Sequence, residues 1–197
     1  MKMNYSAACE RNKDSILEVL KGLIDDKERK LLEIGSGTGQ HAVYLAPYFA
    51  NLTWVTSDLE CNHANIIERI KQSNTSNVRG PVPLEIGNNE FPEGNFDIIF
   101  TANTFHIMSW QECMLFIKNC GNLSKGALVI IYGPFNYNGK YTSESNQNFD
   151  KFLKSNAAHK SIRNFEDVRD SMKRNGVELE NDYEMPANNR ILVFKKI

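Results

Sequence analysis

Three glycines at alternate positions, Gly35, Gly37 and Gly39, follow the apolar run Leu31-Leu32 and the carboxylate Glu33. Glycine so placed lets a chain turn sharply from strand to helix and lets a ligand approach main-chain N–H groups with no Cβ between. With Ser36 inside the turn, the helix that the glycines open is expected to present N–H groups and a positive dipole end to a carboxylate. Glu33, at the end of the preceding strand, is placed to hold an ammonium group, directly or through water. Asp58 lies 23 residues after Gly35 at the end of a second apolar run. A carboxylate there can accept hydrogen bonds from both hydroxyls of a ribose; its plainer role is to cap the turn that follows. The G-x-G-x-G spacing departs from the G-x-G-x-x-G of nicotinamide and flavin domains, which argues against hydride transfer.

Further candidates sit at other strand ends, where ligands collect in open α/β sheets. Glu85-Ile86 can offer an acid to an adenine amino group and an apolar side chain to its ring, or can be an ordinary exposed loop pair. Asn103 opens the segment Asn103-Thr104-Phe105-His106-Ile107 as a cofactor-side contact, and His106 can bind a substrate or take a proton. A single histidine is as readily a hydrogen-bonded wall residue. Asn12 and Tyr132 are further polar groups able to clamp an acceptor. His41, in the first turn of the glycine-motif helix, is a weaker candidate, and His63 and His159 read as surface residues. Cys9, Cys61, Cys113 and Cys120 are widely spaced, without C-x-x-C, and no histidine clusters with them. No metal site is expected, and thiols in a reducing compartment fit better.

The elements that must position these residues follow from apolar spacing. Ile16, Leu17, Leu20, Leu23 and Ile24 mark a first helix. Strands are expected at 30–34, 52–57, near 82–86, at 96–101 and at 127–132, with helices over 62–72 and 110–122 between them. The helix after the glycines buries Ala42, Val43, Leu45, Ala46 and Phe49. Residues 136–148 are rich in Gly, Asn and Ser and read as a long loop, the kind that shapes a substrate site. A short helix at 149–154, another at 165–175 and two closing strands, 177–183 and 190–196, complete the chain. Alternation of this kind implies an α/β, Rossmann-like, mostly parallel seven-stranded sheet with an antiparallel final strand and helices on both faces.

Composition bounds the function. The 197 residues carry a formal net charge of −1 and 41% hydrophobic residues, ordinary for one globular domain. Nothing points to nucleic-acid backbone or to a membrane, for no apolar run approaches the roughly 18 residues that span a bilayer. Met1-Lys2-Met3-Asn4-Tyr5 leads into a polar stretch with no signal-peptide core, so a cytoplasmic protein is expected.

The Glu33 to Gly39 motif resembles the first motif of S-adenosylmethionine (SAM)-dependent methyltransferases. More narrowly, Glu10-Arg11-Asn12-Lys13 with Ile16-Leu17, Gly35-Ser36-Gly37-Thr38-Gly39-Gln40-His41, Tyr132-Gly133-Pro134-Phe135 with Asn138-Gly139, and Met185-Pro186-Ala187-Asn188-Asn189 resemble the methyltransferase-like 26 family. The resemblance runs from about residue 6 to the C-terminus. It implies a class I methyltransferase fold, SAM as cofactor and S-adenosylhomocysteine as product. The chain departs from the family pattern in having Glu85-Ile86 where Asp-Val is expected, and Phe105 in place of an aliphatic residue. The resemblance also implies that Glu10, Arg11 and Asn12 fold over the site as a lid; the plainer role of Glu10 and Arg11 is to solvate and cap the helix. The expected organisation is one domain over 1–197, with an N-terminal lid and helix at 1–29, a cofactor half at 30–132 and a substrate-side loop with closing strands at 133–197. The expected activity is methylation of a small-molecule acceptor, since the chain lacks the Asn/Asp-Pro-Pro-Tyr/Phe tetrapeptide of many amino-methylating enzymes. The rival reading is a SAM-binding regulatory or scaffold protein without turnover.

Overall fold

The Ser6 hydroxyl accepts the N–H of Cys9 and so starts helix α1 (Ala7–Leu23), nine residues ahead of the apolar stripe that marks it in the sequence. The computed structural model describes residues 4–88 and 91–197. The chain groups into two compact units, residues 1–100 and 101–197.

In the first unit, β1 (Arg29–Ile34) pairs in parallel with β2 (Leu52–Asp58), setting Leu31 beside Trp54 and Glu33 beside Thr56. Strand β2 pairs in parallel with β3 (Val78–Pro83). Helices α2 (Gln40–Leu45) and α3 (His63–Ser73) lie between these strands in sequence. Ile16, Leu20, Leu31, Leu32, Leu45, Trp54, Ile66 and Phe100 are fully buried. Strand β3 lies earlier than the 82–86 expected from hydropathy. Polar Arg79-Gly80 hides the strand from an apolar pattern, yet main-chain pairing to β2 continues across a register shift between Val55 and Ser57. Glu85-Ile86 therefore lie beyond the strand, where the Asn88 N–H donates to the Glu85 carbonyl and turns the chain at Gly87.

Strand β4 (Ile98–Ala102) leads into the second unit. Ser109 and Glu112 form a reciprocal capping box on α4 (Trp110–Cys120). Then come β5 (Leu128–Gly133), the two-residue β6 (Phe135–Asn136), α5 (Glu144–Asn156), the two-residue β7 (Arg163–Asn164), α6 (Phe165–Arg174), β8 (Val177–Met185) and β9 (Asn189–Lys196). The expected long loop over 136–148 is corrected. Its second half belongs to α5, because Ser143 accepts the Asn146 N–H and caps a helix whose Ser/Asn-rich first turn reads as loop by composition. The β6–β7 pair is likewise invisible in so short a pattern. Phe105, Phe116 and Phe135 pack edge-to-face and tilted, with ring centroids 5.2 and 6.4 Å from Phe105.

The seven main strands hydrogen-bond in the order β3-β2-β1-β4-β5-β9-β8, with β9 antiparallel to both β5 and β8. This is the class I methyltransferase sheet, with its strand order reversing between β1 and β4. Among the described residues no helix is long and apolar enough to cross a membrane, and no group of three or more His, Cys, Asp or Glu could hold a metal ion.

Candidate functional site

The glycine turn is built as its spacing predicts. Gly35, Gly37 and Gly39 all take positive φ, at 72°, 56° and 73°, a backbone that a Cβ disfavours. A Cβ on Gly39 would lie 3.5 Å from both Cα and Cγ2 of Ile66, so the third glycine also lets α3 approach. A Cβ on Gly37 would meet nothing within 4 Å, which leaves open space over the middle of the turn.

The turn's polar atoms are committed in a way the sequence does not reveal. The Ser36 N–H donates to the Ser57 carbonyl at 3.0 Å, the Gly39 N–H to the Ser36 carbonyl at 2.8 Å, and the Gly37 N–H to Asp58 Oδ2. These three main-chain N–H groups of the turn are therefore paired within the protein, and α2 is six residues long. Asp58 is buried, and its Oδ1 accepts from the Leu59 N–H at 2.7 Å and Asn62 Nδ2 at 2.8 Å. A carboxylate offers about four acceptor positions, of which three are filled here. Asp58 thus ties the end of β2 to the glycine turn and caps its own exit, with one acceptor position left on Oδ2.

Glu33 is 1% exposed and turned inward. Its Oε2 accepts from Ser36 Oγ at 2.9 Å and from the Trp54 indole N–H at 3.0 Å. Ser57 closes the network, its hydroxyl donating to the Glu33 carbonyl at 2.7 Å and its N–H to Ser36 Oγ at 3.2 Å. Burial pushes the Glu33 carboxyl up to about 7; the Trp54 and Ser36 hydrogen bonds oppose that rise and the Asp58 charge adds to it. Glu33 Oε2 is thus bonded within the protein, to Ser36 and Trp54.

Residues 4–12 are strapped to the same turn. The Ser6 N–H donates to Gln40 Oε1 at 2.6 Å, and Gln40 Nε2 returns a bond to the Ser6 carbonyl at 3.3 Å. Arg69 reaches both the Thr38 and Asn4 carbonyls at 2.6 Å. Asn12 is buried and its Oδ1 pairs with His41 Nε2 at 2.8 Å, so His41 is the donor. Burial lowers His41 to about 4, which keeps it neutral. Glu10 pairs with Lys13 along α1, while Arg11 is exposed. Glu85 is exposed and Ile86 buried in the loop after β3. Gln40, Arg69, Trp54 and Ser57 were not singled out from sequence. Gln40 stood inside a recognised motif, whereas Arg69 carried no signal.

In the second unit, Asn103 takes a positive φ of 62° directly after β4 and donates its N–H to the Tyr132 carbonyl at 2.9 Å. Asn tolerates this backbone better than most residues. Tyr132 is buried on β5. Phe105 turns into the aromatic cluster with Phe116 and Phe135. Arg163 pins the segment by donating to the carbonyls of Phe105 and Met108 and, at 2.8 Å, to that of His159. His106 is 5% exposed, its ring edge-to-face with Phe149 at 5.2 Å, and its Nδ1 is buried without a partner. Burial lowers its pKa to about 4, with help from the Arg163 and Lys160 charges. The structure therefore offers a neutral imidazole with an unmet nitrogen.

A family model described as "Protein of unknown function (DUF938)" matches residues 3–196. The chain belongs to this family. Solved structures show what the DUF938 chain resembles in fold. The SAM-dependent methyltransferase SibL matches with a TM-score of 0.79 and 16% identity over 96% of this chain and 56% of its own. An O-methyltransferase family 2 protein from Planctomyces limnophilus, solved with apigenin, matches at 0.78 and 13% over 94% and 62%. The pyocyanin biosynthetic protein PhzM matches at 0.75 and 17% over 92% and 54%. The chain spans a little over half the length of these relatives, and the likeness is one of fold.

Proposed function

We propose that this DUF938 protein is a SAM-dependent methyltransferase acting on a small-molecule acceptor, and that within its family it belongs with the methyltransferase-like 26 proteins. The observation that carries the reading is the glycine turn: three left-handed glycines, bonded to a carboxylate at the end of β2 and open above Gly37. The donor set fits the cofactor, with an open acceptor position on Asp58 for a ribose hydroxyl and an exposed acid beside a buried aliphatic at Glu85-Ile86 for adenine. Gly35, Ser36, Gly37 and Gly39 form the bed, and Glu33 holds its shape. When bound, SAM supplies an electrophilic methyl group on a sulfonium, and S-adenosylhomocysteine is the product.

His106 takes the acceptor's proton at Nδ1, and Tyr132 orients the acceptor. Asn12 is committed to His41 and acts through the strap of residues 4–12, which fixes the turn from one side. The relatives solved with apigenin or assigned to pyocyanin biosynthesis support a small-molecule acceptor. Four free thiols, three of them buried, support a reducing, cytoplasmic location.

Isothermal titration with SAM and S-adenosylhomocysteine tests the reading. Wild-type protein binds both with a Kd on the order of micromolar, and Asp58→Ala weakens binding about 100-fold by removing a charged acceptor and loosening Gly37. A folded sample that gives neither heat nor a thermal shift with either ligand overturns it.

A further inference from the structure

Helix α4 carries more apolar surface than its own core contact uses. Cys113, Phe116, Ile117 and Cys120, at i, i+3, i+4 and i+7, are fully buried and form one stripe. Trp110, Met114 and Leu115 form a second stripe outside it; the first two are half-buried and Leu115 is 40% exposed. A helix that meets only water on its outer side carries polar residues there. The neighbouring α6 does so, with Asp167, Asp170, Lys173 and Arg174 all exposed. Between the two helices lie hollows of about 550 and 330 Å³, and Trp110 and Met114 line both. Leu115, Lys118 and Asn175 complete the larger one, and Asp167, Asp170 and Arg174 border the smaller.

The two helices run the same way. Trp110, at the start of α4, shares a hollow with Asp167 in the first turn of α6. At the other end, a Cβ on Gly121, just past α4, would lie 3.0 Å from the carbonyl oxygen of Asn175, just past α6. Each helix has an acid in its first turn and a base in its last: Glu112 and Lys118 in α4, Asp167 and Arg174 in α6. That pattern suits the dipole of each helix taken alone. Because the helices are parallel, it also becomes a property of the whole face, acidic at one end, apolar in the middle and basic at the other. Such a face is complementary to itself when turned end for end.

We propose that the α4–α6 face is a dimer interface, occupied by a second copy of this chain about a two-fold axis that passes between Met114 and Ser171. The helices of the two copies then pack antiparallel across the axis, and the Trp110, Met114 and Leu115 stripes cover each other. Asp167 and Arg174 lie seven residues, or two turns, apart on one face of α6, so an axis midway between them sets Asp167 of each copy against Arg174 of the other. Asp170, nearer the axis, is neutralised within its own helix by Arg169 Nε at 2.8 Å. An 11-residue helix is about 16 Å long, which makes the face small and places the contact in the weak, reversible class. The interface stands independently of the methyltransferase reading, since it uses neither the glycine turn nor His106.

Sedimentation equilibrium of the full-length protein tests the interface. A monomer–dimer equilibrium with a Kd on the order of 100 μM is expected. Leu115→Glu, at an exposed position, should weaken it at least about 10-fold by burying a charge, without moving the thermal melt. Asp167→Arg and Arg174→Asp should each weaken association about 10-fold, the first by setting Arg against Arg and the second Asp against Asp. An equimolar mixture of those two variants should dimerise as the wild type does, because both contacts across the axis again join opposite charges. A chain that stays monomeric well above the expected Kd overturns the proposal and leaves the face to a different partner. A dimer indifferent to Leu115→Glu, or charge variants that fail to rescue each other, also overturns it. The wild-type and Leu115→Glu measurements decide the matter even if a charge variant misfolds.

Discussion

The glycine turn of the first unit and the His106 segment of the second solve opposite problems. Around the turn, Glu33, Ser36, Ser57, Asp58, Gln40 and the Asn12–His41 pair all have partners, so the bed is held in one shape before any ligand arrives. Around His106 the scaffold is equally fixed, by Arg163 and the strained Asn103, but the imidazole nitrogen is left unmet. One region is organised by completing its hydrogen bonds and the other by withholding one. A site meant to hold a constant ligand gains from rigidity, whereas a site that selects among ligands gains from a group that only the right one satisfies.

The largest effect is the response to acid, in which one buried histidine in each region acts alike and Glu33 sets the first region apart. His41 and His106 have folded pKa values of about 4 against 6.5 for the free group, so between these limits the unfolded chain binds protons that the folded one does not. Their contribution is full above pH 6.5 and lost as the pH falls towards 4, by about 3 kcal/mol for each at most. Glu33 runs the other way, its raised pKa giving a contribution complete below 4.5 and lost as the pH rises through about 7. Denaturant melts from pH 7 to 4 should show a net acid loss that becomes shallower in His41→Gln and in His106→Gln. A slope unchanged in both would mean that these rings titrate as free histidines.

A smaller effect tests the strap. Gln40→Ala removes three hydrogen bonds and leaves the Ser6 N–H without its acceptor, for a loss of about 1–2 kcal/mol. Hydrogen exchange should accelerate at residues 5–9 and stay unchanged at 103–108. Equal acceleration in both segments would erase the distinction between the regions. The smallest effect is spectroscopic. Because the Trp54 indole donates to Glu33, its fluorescence should step near pH 7, and Glu33→Gln should abolish the step while changing stability at pH 7 by less than about 1 kcal/mol. A step that survives in the variant would place the titrating group elsewhere.

The glycine turn was largely legible in the sequence because its parts are local. Gly35, Gly37 and Gly39 need a backbone that glycine adopts most readily, and Asp58 sits where its strand must stop. Partners distant in sequence are not legible there: Trp54, 21 residues on from Glu33, donates to its carboxylate, and His41, 29 residues on from Asn12, donates to its amide oxygen. Strand β3 was misplaced because Arg79-Gly80 is polar, and the start of α5 was missed because Ser and Asn favour loops until a cap such as Ser143 commits them.

Alternating apolar runs by themselves determined an α/β chain with a glycine turn after its first strand, because periodicity and φ preferences act over a few residues. Tertiary structure decided which polar groups were consumed in building that turn and which buried atoms among the described residues, His106 Nδ1 and Asn136 Oδ1, were left unmet. Hydrogen-bond partners are chosen by proximity in space, and burial, which follows packing and not composition, fixes whether each remaining group is charged.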